Sequence, residues 1–140
     1  MTKRGIILKA LPWLLASYVA ASFIHFAHNA EFLAEYPNLP AWLSRAGVYG
    51  AWFAQLAIGV LGYALYRRGR ELSGLVVIAA FAMFGFDGLL HYTRAPLSDH
   101  STVMNMTIWT EVVAAAVLFL AALSLVAEYL SRPADEARST

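Results

Sequence analysis

Residues 11–32 read LPWLLASYVAASFIHFAHNAEF. The first fourteen are apolar or small, and then two histidines, an asparagine and a glutamate arrive within two turns. The whole apolar stretch, residues 6–29, is long enough to cross about 30 Å of hydrocarbon, which takes about 20 helical residues. Three more stretches have the same character: 43–66, 72–92 and 104–130. Lys3, Arg4 and Lys9 flank the first as they would a secretory signal, but its apolar part is too long for one. It reads as a retained helix.

Composition agrees. Hydrophobic residues make up 60% of the 140 and charged ones 14%, against about 45–50% and about 25% in soluble domains. A soluble chain of this size cannot hide that much apolar surface, so lipid must cover the excess. The net charge of +1 argues against nucleic acid as a partner, and the absence of cysteine excludes disulfides, thiolate metal sites and iron–sulfur clusters.

Basic residues set the orientation. Lys3, Arg4, Lys9, Arg67, Arg68, Arg70, Arg132 and Arg138 share one side, and only Arg45 and Arg94 fall on the other. That bias places both termini in the cytoplasm. The expected fold is all-α: an integral membrane four-helix bundle with short loops, one domain over 1–131 and a polar cytoplasmic tail over 132–140. The compact, cysteine-free form suggests a bacterial inner membrane. Pro37 and Pro40 punctuate the first outer loop, and Ser98, Asp99, Ser101 and Thr102 are candidate caps for the last helix.

In this topology the ends of helices one and three and the start of helix four meet at the outer side. They carry His25, His28 and Asn29, then Asp87 and His91, then Asn105, Trp109 and Glu111. His25, His28 and Asn29 share a face at three- and four-residue spacing, and Asp87 and His91, four apart, should share another. An intramembrane charge costs about 2.5–3.5 kcal/mol and generally faces a bundle interior or wet cavity. Asp87 and Glu111 are therefore expected to point inward and meet the histidines in one pocket. The plainer alternatives are that Asp87 pairs with His91 or Arg94, that a histidine near a membrane end only hydrogen-bonds at the interface, that Glu31 and Glu35 decorate a rim, and that His100 is a solvated loop residue.

Three chemistries suit such a pocket. His25, His28, Asp87, His91 and Glu111 offer nitrogen and oxygen ligands to a transition metal (copper, iron, zinc or manganese), with Asn29 orienting a ring. His91 facing His25 or His28 could ligate a haem. Without a metal, Asp87 and Glu111 could act as acid and base on a lipid-like molecule.

On helix two, Gly47, Gly50, Ala51, Ala54 and Ala57 form a smooth face, expected to pack inside the bundle or, alternatively, to join a homo-oligomer or larger membrane complex as an assembly subunit. Trp42, Trp109, Tyr36 and Tyr92 fit an interfacial aromatic belt.

The stretches IHFAHNAEF, GFDGLLHYTRAP and VMNMTIW resemble the EXPERA group, the four-helix membrane fold of emopamil-binding sterol isomerases and the sigma-2 receptor. The resemblance implies roles for His25, Asp87, Asn105 and Trp109 around a lipid-sized cavity. It departs from the group at Gln55, where the isomerases place an acid, in the spacing after His25, and in His28 and His91, which have no counterpart there.

Overall fold

The computed structural model describes residues 2–132, so most of the expected tail lies outside the described residues. Four helices follow in order: α1 (Lys3–Glu31), α2 (Arg45–Arg67), α3 (Glu71–Met83) and α4 (Thr102–Leu130). Side-chain oxygens of Thr2, Ser44 and Ser101 cap α1, α2 and α4 by accepting from the N–H groups of Gly5, Gly47 and Met104. Of the four candidate caps for the last helix, Ser101 is thus the one used. The turn from α2 to α3 bends at Gly69, whose φ of 78° favours glycine.

A 3-10 helix, Phe84–Thr93, continues α3, and together they form one of four helical spans long and apolar enough to cross a membrane. Only 22% of the most apolar window of α2 and 28% of that of α1 are buried. Trp13 and Leu120 stand outward, 75% and 62% exposed. In water each Å² of such apolar surface costs about 25 cal/mol.

α1 packs chiefly on α4 and α2 chiefly on α3, and α3 also packs on α4. Leu11, Tyr18, Leu75, Ile78, Leu118 and Leu125 fill the main core. A smaller cluster of Phe26, Ala30, Val48 and Trp52 joins α1 to α2, where the Trp52 indole N–H donates to Ser22 Oγ.

Two expectations about these helices need correction. The smooth face of α2 does not pack in the bundle: Gly47, Gly50, Ala51, Ala54 and Ala57 are all exposed. Val48 and Trp52 supply the buried bulk on the other side, and close approach occurs at Gly59, where a Cβ would lie 2.6 Å from the Phe81 ring. The third span is also not one uniform α-helix. From Phe84 it winds with about three residues per turn, so Gly85, Gly88 and His91 stack on one buried face.

Candidate functional site

At the end of the bundle away from Gly69, a buried row of polar side chains crosses from α4 to the loop before it. Glu111, fully buried, pairs with Nδ1 of His25, which is 2% exposed. The His25 ring meets that of His91 edge-on at 5.5 Å, and His91 meets His100 at 6.0 Å. Asn29 Nδ2 donates to His91 Nε2 at 3.0 Å, which leaves the His91 proton on Nδ1. Nδ1 of His100 donates to the carbonyl of Pro96 at 3.0 Å.

Local structure places each group. His25 and Asn29 lie one turn apart on α1, as the spacing predicts. His91 reaches the row because the 3-10 winding stacks it above Gly88. That glycine lets the ring sit close: a Cβ there would stand 3.1 Å from Cε1 of His25.

The same winding separates Asp87 from His91. Four residues apart in a helix of three per turn, they diverge by about 120°. Asp87 instead accepts from Gln55 Nε2 of α2 at 3.1 Å, pairing with neither His91 nor Arg94.

Five buried side-chain atoms here have no hydrogen-bond partner in the protein: His25 Nε2, Asn29 Oδ1, His91 Nδ1, His100 Nε2 and Glu111 Oε1. Among the described residues the remaining such atom is Arg4 Nε at the far end. Leaving one buried polar group unmatched costs about 1–3 kcal/mol, and ordered water, an ion or a polar ligand atom is what satisfies such a cluster. Beside them a cleft of about 330 Å³ opens between α1, α2 and the 3-10 helix. His25, Asn29, Asp87 and His91 line it, with Trp42, Gly47, Ala51 and Leu90 giving it apolar walls. Its size falls in the range of small-molecule sites, about 300–1,000 Å³.

The remaining expected site residues fall outside this row. His28 is half-buried and bonds through Nδ1 to the Tyr36 hydroxyl at 2.9 Å. Asn105 accepts from the Tyr92 hydroxyl and donates to the carbonyls of Leu97 and His100, so it latches the turn that presents His100. Trp109 stacks on Tyr92 and is 46% exposed, away from the cleft. Glu31 pairs with Arg45 at the rim.

Accordingly, among the described residues no group of three or more His, Asp or Glu side chains is placed to hold a metal ion. His28 is too far aside, Asp87 is turned to Gln55, and one Glu111 oxygen is engaged by His25. A haem between His25 and His91 is also unmatched, because the two rings touch edge to face with no slot between them.

Two members of the site escaped the sequence reading. His100, expected in solvent, is 5% exposed. Tyr36, expected in the aromatic belt, is 4% exposed and lies 4.8 Å from the His91 ring as a lid over it. The one signal for Tyr36 is the following Pro37, which biases a residue toward extended backbone, here ψ 126°.

Burial pushes the Tyr36 phenol from its ordinary 10.0 up to about 12. The folded value lies above the unfolded one, so the stability this neutral phenol carries is complete below 10.0 and is lost as pH climbs through about 12. Tyr36→Phe should remove that alkaline component from melting curves recorded across this window.

No family model, curated protein or solved structure matches the chain.

Proposed function

We propose that the chain is an integral protein of a bacterial inner membrane that binds a lipid-phase small molecule by its polar group in the cleft at His25 and handles a proton on it. Both termini lie on the cytoplasmic side in this reading, because seven of the nine lysines and arginines among the described residues sit at the Gly69 end. The site then faces outward, within the outer leaflet.

The observation that carries the reading is the cluster of five unpartnered buried atoms beside an apolar-walled cleft. With Glu111 accepting from Nδ1, the Nε2 of His25 holds a lone pair and can act as base. A proton taken there leaves an imidazolium beside a carboxylate. Asp87, on the same cleft and protonated at the start, gives its proton elsewhere on the ligand. Once the His25 proton returns to Asp87 through water, the net change is an isomerisation that needs no oxidant or reductant. This agrees with the EXPERA-like expectation for His25 and Asp87, but leaves Asn105 and Trp109 without contact to ligand.

A second reading, a transition metal, has an observation of its own. His25 and His100 each donate through Nδ1 and leave Nε2 buried and unpartnered, which is how metal-bound imidazoles are oriented; His91 accepts at Nε2 and would first have to change tautomer. The rings would have to turn toward one point to become ligands.

Elemental analysis and mass spectrometry of an organic extract separate the two. The first reading expects substoichiometric metal and a retained small molecule that falls away in Glu111→Gln. Stoichiometric metal lost in His100→Ala would favour the second.

A further inference from the structure

At the opposite end of the bundle, we infer a binding site for an anionic glycerophospholipid: Arg4 and Arg67 take its phosphate and the seam between α1 and α2 takes an acyl chain. Two adjoining cavities carry this. The first, about 560 Å³, is lined by Arg4, Arg67, Tyr63, Tyr66, Glu71 and Tyr129. The second, about 350 Å³, is an apolar groove along Leu15, Ala16, Val19, Leu56 and Val60. Pro12 and Tyr63 line both, so the polar cavity opens directly into the groove.

The groove has a physical cause. α2 is drawn onto α3, where Gly59 admits the Phe81 ring and Gly74 admits the backbone of Tyr66. α1 in turn packs chiefly on α4. At this depth the small residues Ala16, Gly59 and Ala64 sit among the larger side chains of the α1–α2 seam and leave room between them.

Charge selects the headgroup. Glu71 pairs with Arg4 at 2.6 Å and with Arg132 at 3.0 Å. Arg67 donates to the Tyr63 hydroxyl at 3.3 Å and lies over the same ring, with no carboxylate among the described residues within salt-bridge reach of it, while Arg4 Nε is buried without a partner. The charged lining of the cavity, Arg4 and Arg67 against Glu71, therefore carries one net positive charge, and its tyrosines add hydroxyl donors. A phosphodiester with an uncharged polyol satisfies these groups, whereas a zwitterionic headgroup sets its ammonium against them. Basic pockets between membrane helices on the cytoplasmic side recognise lipids in this way.

This inference shares with the proposed function only the premise of a bilayer. The full-length protein in detergent is offered phosphatidylglycerol or phosphatidylcholine of identical chains, and retained lipid is counted by native mass spectrometry. The expected preference for phosphatidylglycerol is about fivefold or more, since one arginine near the surface is worth about 1 kcal/mol. Arg67→Ala should reduce the preference several-fold and Arg67→Lys should keep most of it. Ala16→Trp, at an exposed position in the groove, should lower retention of both lipids. The Glu111→Gln variant should behave as wild type, which separates failure here from failure of the first site. Equal retention of the two lipids overturns the inference, as does indifference to both Arg67→Ala and Ala16→Trp. Displacement of the lipid by inorganic phosphate alone would also overturn it, because the site would then be one for a free anion.

Discussion

His25→Ala is expected to cost about 3–5 kcal/mol of unfolding free energy, the usual result of removing one partner from a buried ionic pair. Glu111 is fully buried, one of its oxygens is held by His25, and the other has no partner in the protein. Truncating His25 leaves that acid unanswered and opens a void against Gly88. The double substitution His25→Leu/Glu111→Met should behave quite differently. Replacing a buried pair by apolar groups of similar volume is often neutral or stabilising by about 1–4 kcal/mol. Unfolding in detergent, followed for both single variants and the double, should therefore give strong non-additivity, about 3 kcal/mol or more. A double variant that folds as well as the wild type would mean that the pair is kept for what it does.

The second large effect falls on the 3-10 face. Gly85→Ala places a Cβ 2.7 Å from Tyr18 Cε2 and against the Ala115 methyl. Tyr18 cannot swing away, since it is fully buried and donates to the Phe81 carbonyl. Overpacking of this kind costs about 1–3 kcal/mol. Gly88→Ala should split the effects the other way. Its Cβ would stand 3.1 Å from His25 Cε1 and 3.4 Å from Ile108, so the imidazole must give by a few tenths of an ångström. Retention of the bound molecule should fall several-fold with a small change in melting. Gly50→Ala, with nothing within 4 Å, is the control, and should gain about 0.5–1 kcal/mol from helix propensity.

The four long apolar helical spans were legible in the sequence because their signals are local. Hydropathy over about 20 residues marks each span, and the three- and four-residue spacing around His25 marks a face. The cost of an intramembrane charge also pointed Glu111 inward, where it meets His25. The same cost argument applied to Asp87, but its partner, Gln55, lies on a helix whose rotation no local pattern reveals.

What stayed hidden depended on winding and on loops. The stretch GFDGLLH reads equally well at 3.6 or 3 residues per turn. Only packing against Tyr18 and His25, which the two glycines permit, decides for the tighter one. That choice turned Asp87 away from His91 and removed a carboxylate from the expected ligand set. His100 and Tyr36 reach the site through loop geometry: a Pro96 carbonyl that holds one ring, and an extended backbone that folds the other over His91.

The most direct test compares organic extracts of the wild-type protein and of His25→Leu/Glu111→Met by mass spectrometry, with both proteins purified in one detergent and shown to be folded. The wild type should retain a small apolar molecule bearing a hydrogen-bonding group, and the double variant should not. The same molecule in equal amount from both, or none from either, would contradict a polar core built to receive a ligand.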